Sequence, residues 1–160
     1  MTSNQPLVDT HQASIDVIRA GQAQNGAYVA SPTFSQYGYS WLRDGAWIAH
    51  SMDIAGQHES ARAFHQWSAR TLIRYTDHVR ALLAKLHQGE TPVESDYLPT
   101  RFALDGALGD EDWPDFQLDG YGAWLWVVVQ HCRNISPELW PEIKPAAALL
   151  VDYLGALWQS

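Results

Sequence analysis

Tyr37-Gly38-Tyr39-Ser40-Trp41-Leu42-Arg43-Asp44-Gly45-Ala46-Trp47 is the stretch whose reading decides the fold. Its eleven residues hold four large aromatics, an arginine, an aspartate and two glycines. A helix should begin here. Ser40 has the side chain of an N-cap, and Arg43-Asp44 falls in the first turn, where a carboxylate faces the positive end of the helix dipole. Ala46, Trp47, Ile48, Ala49 and Met52 then cover most faces of the helix until Gly56, a stop signal. The spacing predicts a helix over Leu42 to Ile54, and a helix apolar nearly all round is expected to be buried.

The same grammar returns in Trp113-Pro114-Asp115-Phe116-Gln117-Leu118-Asp119-Gly120-Tyr121-Gly122. Trp41-x-x-Asp44-Gly45 and Phe116-x-x-Asp119-Gly120 are offset by 75 residues (119 minus 44), which suits two helices and their loops. Two helix N-termini should therefore present aromatic-plus-Asp clusters at the same end of the molecule. The helix that follows, from about Leu118 to Arg133, is again apolar all round, through Trp124, Leu125, Trp126, Val127, Val128 and Val129.

Outward from these two runs the pattern is one-sided. Leu7, Val8, His11, Ile15 and Ile18 mark a first amphipathic helix, from about Leu7 to Ala20, and Ala27 to Pro32 reads as extended. From His58 to about His87 a stripe of period 3.6 runs through Ala61, Phe64, Trp67, Leu72, Tyr75, Val79, Leu82 and Leu86, with Thr76-Asp77 as the place to break. Asn134 to Pro145 reads as a connection in which Ser136-Pro137 resembles an N-cap and first-turn proline. A fifth helix then carries Ala146, Leu149, Leu150, Tyr153, Leu154 and Leu157. Gly89 to Pro114 is long and rich in turn formers, as functional loops are. Its Asp110-Glu111-Asp112 reads as a solvated loop tip, or else as an acid/base pair or a metal site, although no His or third-ligand spacing supports a metal. Nearly all-apolar helices alternate with one-sided ones, as when inner helices are covered by an outer ring. The fold class is all-α, stacked helix pairs in a single domain, residues 1–160.

Hydrophobic residues make up 46% of the chain and charged ones 18%, the balance of a globular rather than a disordered chain. The net charge of −8, with ten scattered Lys and Arg, argues against a nucleic-acid partner. Eight Trp suit both a core and platforms for sugar rings. The single Cys132 lies in an apolar stretch, is expected to be buried, and favours a reducing compartment. The polar N-terminus does not read as a signal peptide, and the longest apolar run, Trp124 to Val129, is too short to span a membrane. A cytoplasmic protein with no membrane partner is expected. The seven histidines form no HExxH or similar ligand spacing, so no metal or cofactor is expected.

Ala30-Ser31-Pro32, the Tyr37 to Asp44 run, Gly56 and Trp67, followed by the Trp113 to Gly122 run, resemble the start of a glucoamylase-type catalytic domain, glycoside hydrolase family 15. The resemblance covers nearly the whole chain, with both motifs in order. It implies part of an (α/α)6 toroid, six inner helices ringed by six outer ones. It also implies an exo-acting, inverting hydrolase that releases glucose from α-glucans or related α-glucoside oligosaccharides. Carried over residue by residue, Arg43 and Asp44 match the pair that hydrogen-bonds the terminal glucose. Tyr37 matches the aromatic stacking near that sugar, with Trp41 beside it, and Trp113 matches the tryptophan close to the catalytic acid. Gln117 and Asp119 match positions with a structural or supporting role.

Twelve helices need roughly two to three times this length. The family's general acid belongs to a Trp-Glu-Glu type motif expected just beyond Trp158-Gln159-Ser160, with the base further on. Inversion requires both carboxylates, so no catalytic residue is assigned and this chain alone is expected to be inactive. Two other readings stand beside this one. One is a non-catalytic carbohydrate-binding or regulatory helical module that keeps the sugar subsite. The other is a self-contained helical enzyme using Asp110, Glu111, Asp112 or Asp115.

Overall fold

In the computed structural model, residues 5–34, 37–109 and 116–158 are described, with side chains from residue 10 onward. The chain runs α1 (Gln5–Ala20), β1 (Ser40–Trp41), α2 (Leu42–Ile54), α3 (His58–Arg74), α4 (Thr76–His87), β2 (Arg101–Phe102), α5 (Asp119–Asn134) and α6 (Trp140–Leu157). Helices α2 and α5 lie side by side, α3 packs on α2, and α6 packs on α3, α4 and α5. The result is two helical hairpins, α2/α3 and α5/α6, stacked so that α2 and α5 form one layer and α3 and α6 the other. Contacts between α2 and α5 at both their first and last turns make the two helices parallel.

Close approach of the layers depends on Gly45. A Cβ there would lie 2.3 Å from Cζ of Phe64 on α3. Phe64 is fully buried and stacked between Tyr28 (5.1 Å between centroids) and Trp67 (5.8 Å), so its ring has nowhere to retreat. Gly45→Ala gains about 0.5–1 kcal/mol of helix propensity but overpacks the core by about 1–3 kcal/mol. Denaturant titration should show a net loss of about 1–2 kcal/mol; an unchanged midpoint would mean that the two layers slide apart freely.

Three sequence expectations are corrected and one is sharpened. Ser40 does not cap α2. It lies in β1, paired with Phe102, while Trp41 pairs with Arg101. This two-residue antiparallel ladder keeps the backbone extended through Trp41 (φ −96°, ψ 132°), so the helix starts at Leu42 with no side-chain cap. The stretch from His58 to His87 does break beside Thr76-Asp77, at Tyr75 (φ −96°, ψ 15°), into α3 and α4. There the Tyr75 amide turns back to the Leu72 carbonyl and the Thr76 hydroxyl takes that of Ile73.

The stretch expected to connect the last two helices is itself helical from Trp140, after a 3₁₀ turn over Pro137–Leu139 in which the Ser136 side chain makes no cap bond. Pro145 costs α6 one ladder bond near its start, and burial of Ile143, Ala146, Ala147 and Leu150 outweighs the loss. Finally, α2 and α5 are not buried all round: Trp47, Ile54, Trp126 and Val129 are exposed. Cys132 is buried as expected, and burial, aided by the Glu138 charge, pushes its thiol up to about 11.

Candidate functional site

The aromatic stretch is positioned from both sides before it enters α2. On one side is the β2 strand. On the other, the Ala30 amide donates to the Tyr39 carbonyl (2.9 Å) and the Ser31 amide to that of Tyr37 (3.1 Å). The Tyr37 and Trp41 rings are 5.8 Å apart at 46°, and Tyr39 meets Trp41 edge-on at 6.3 Å. Tyr37 is 44% exposed and Trp41 only 5%, so Tyr37 offers ring surface to a ligand while Trp41 backs it. Beneath them the buried Arg101 guanidinium lies 4.1 Å from the Tyr39 ring centroid and 5.7 Å from that of Trp41. A desolvated cation over an aromatic face is worth about 2 kcal/mol. Sequence reasoning missed Arg101; its one trace there is a lone arginine amid the apolar Leu98-Pro99 and Phe102-Ala103-Leu104.

Two residues past Trp41, Arg43 ties the two helix starts together. Its Nη2 pairs with Asp44 Oδ2 at 3.3 Å, and its Nη1 donates to Gln117 Oε1 at 3.2 Å and Asp119 Oδ2 at 3.3 Å. Gly120 permits the approach, since a Cβ there would sit 3.2 Å from the Arg43 amide nitrogen. Each helix thus carries a carboxylate in its first turn, where the dipole favours it. Asp44 Oδ2 has no hydrogen bond beyond the ion pair. Oδ2 itself is shielded, but both side chains are 42% exposed, and a charged fork of this kind can bind the vicinal hydroxyls of a sugar through that exposed surface. Tyr37, Trp41, Arg43, Asp44, Gln117 and Asp119 therefore gather at one end of the α2/α5 layer. Trp113, the Asp110-Glu111-Asp112 cluster and Asp115 lie outside the described residues.

The chain matches the family described as "Glycosyl hydrolases family 15" over residues 10–160. This chain belongs to that family. An isomaltose glucohydrolase of Kribbella flavida is 45% identical over 145 residues, covering 89% of this chain and 37% of that protein. Among solved structures, a wild-type glycosidase superposes with a TM-score of 0.90 at 41% identity, covering 99% of this chain and 43% of that one. A variant of a glycosidase solved in complex with glucose gives the same figures. The chain therefore spans well under half the length of the relatives it matches. Family 15 glycosidases are (α/α)6 toroids, and the α2/α3 and α5/α6 hairpins are stacked units of that architecture. Among the described residues no helix is long and apolar enough to cross a membrane.

A second polar cluster occupies the far ends of the same two inner helices. His131 on α5 donates from Nδ1 to Asp53 Oδ2 on α2 at 2.8 Å, and His58 Nδ1 lies 3.1 Å from Asp53 Oδ1. The His65 ring, fully buried on α3, sits 5.0 Å from the His131 ring. Burial alone would raise the Asp53 carboxyl, but its hydrogen bonds to His131 and His58 and the nearby imidazoles outweigh it and hold the group below the usual range. Burial, then the neighbouring His131, presses His65 down to about 3 against the pull of Asp53. No sequence motif marks this cluster.

Proposed function

We propose that this chain supplies the terminal-glucose pocket of an exo-acting, inverting α-glucoside hydrolase. The observation that carries the reading is the Arg43–Asp44 fork at the start of an inner helix, each side chain 42% exposed, with the exposed Tyr37 ring in the same cluster. In this reading Arg43 and Asp44 bind the hydroxyls of the non-reducing glucose. Tyr37 stacks on its apolar face, and Gln117 and Asp119 hold the Arg43 guanidinium in place. Those bonds tighten as the ring flattens toward an oxocarbenium ion. The acid and base carboxylates that inversion demands come from elsewhere in the complete protein, whose further inner helices cover Trp47, Ile54, Trp126 and Val129. Isomaltose is the first substrate to try, because the 45% identical relative carries that specificity in its name. A cytoplasmic site of action accords with a single, buried cysteine.

The test is steady-state kinetics of the complete protein on isomaltose, maltose and starch. Asp44→Asn keeps the shape but removes the charge that strengthens a hydroxyl hydrogen bond. Losing one such charged bond costs about 3 kcal/mol, roughly a 100-fold fall in kcat/KM. Wild-type protein releasing no glucose from any of the three, or Asp44→Asn matching wild type, would refute the assignment.

A further inference from the structure

Asp53, His65 and His131 come from three different helices, α2, α3 and α5, and each offers one ligand atom within 4.8 Å of the others. They are separate from the sugar site: Asp53 is nine residues after Asp44 on α2, about 13 Å along the axis. Both ring nitrogens of His65 and Nε2 of His131 are buried with no hydrogen-bond partner. Native proteins rarely leave such atoms unpaired, and each calls for an explanation such as an ion. The 2.8 Å Asp53–His131 hydrogen bond already holds two of the three donor groups side by side.

We propose that Asp53, His65 and His131 form a binding site for a divalent transition-metal ion, Zn²⁺ foremost, that clips α2, α3 and α5 together. Two imidazoles and one carboxylate match the donor preference of Zn²⁺. They offer too few oxygens for Ca²⁺ or Mg²⁺. Tetrahedral bonds of about 2.0–2.1 Å set ligand atoms about 3.3 Å apart, so side-chain rotation draws the three inward from their present separations. His58, whose Nδ1 is 3.1 Å from Asp53 Oδ1, lies half-exposed beside the trio. Asp53 and His131 lie in the wall of a cleft of about 220 Å³ that His50, Gln130 and Asn134 also line. Loading releases to solvent any proton displaced from the coordinating atoms. The ion's role is structural, since it sits at the end of the inner helices away from Arg43 and Asp44.

The experiment uses the full-length protein stripped with a chelator and titrated with Zn²⁺ against a chromophoric competitor, with Co²⁺ as a spectroscopic probe. One ion per chain, tetrahedral Co²⁺ absorption bands and a higher melting temperature on loading are expected. His65→Leu keeps the buried volume apolar, so its fold can be verified by circular dichroism, and it should weaken Zn²⁺ binding by about 100-fold or more. Asp44→Asn should bind the ion as tightly as wild type. No saturable binding of one equivalent, or undiminished affinity in His65→Leu, would overturn the site. Neither readout involves substrate, so the result is independent of the proposed hydrolase activity.

Discussion

Gly26→Ala should lower the melting temperature by roughly 6–12 °C, the equivalent of about 3 kcal/mol in a domain of this size. Gly26 has φ +103°, a conformation that side-chain-bearing residues rarely adopt, and a Cβ there would sit 2.2 Å from the Ala63 carbonyl oxygen on α3. The clash is with helical backbone, so no rotamer change relieves it. The turn is also anchored from below: Gln22 Nε2 donates to both the Gly26 and Ser60 carbonyls, and the Arg70 guanidinium reaches the Asn25 carbonyl. Displacing it moves the strand-like segment that follows, whose Ala30 and Ser31 amides hold Tyr39 and Tyr37. The loss should therefore reach the sugar pocket. Gly56→Ala is the control, because Gly56 also has positive φ (+72°) but nothing within 4 Å of a new Cβ. It should lose only the conformational part, about 1–2 kcal/mol. Equal melting temperatures for the two variants would show that contact with α3 is not what makes Gly26 obligatory.

The second large effect is a loss of stability in mild acid, dominated by His65. In the unfolded chain its imidazole takes up a proton near its ordinary value of 6.5; in the folded chain it does so only near 3. Between those values the unfolded state holds the extra proton, so stability falls as pH falls, by about 1.4 kcal/mol per pH unit. The contribution is fully present above pH 6.5 and is lost progressively toward pH 3. Asp53, held below its ordinary value of 3.8, acts in the same direction but only in the more acid range beneath it. Thermal melts of chelator-treated protein from pH 7 to pH 4 should thus slope steeply downward. His65→Leu should flatten the slope and, by removing two unpaired buried nitrogens, match or exceed wild-type stability at pH 7 without metal. A wild-type slope that persists in His65→Leu would assign the acid sensitivity to other groups.

Much of the helical frame was legible because its signals are local. The apolar run of α2 and its Gly56 stop gave Leu42 to Ile54, the limits the structure shows. The alternation of all-apolar and one-sided helices gave the two layers. Errors arose where non-local contacts overrode a local preference. Ser40 reads as a cap, yet Phe102, 62 residues away, pairs with it and keeps it extended. Thr76-Asp77 was recognisable as a weak point, but the break centres on Tyr75, whose ring packs at 5.5 Å from Phe102 and whose hydroxyl reaches the Gly106 carbonyl.

By itself the sequence determined the all-helical class, the two helix starts with their aromatic and acidic residues, and the resemblance to family 15. Periodicity and end signals act within a turn or two of the chain, so neighbouring residues suffice to specify them. Tertiary structure alone decided that Arg43 reaches Gln117 and Asp119, that Arg101 slides beneath Tyr39, and that Asp53, His65 and His131 converge. Those meetings depend on how closely and in what register the helices pack. Gly45 and Gly120 set that through backbone proximity to Phe64 and Arg43, a three-dimensional fact that linear spacing does not carry.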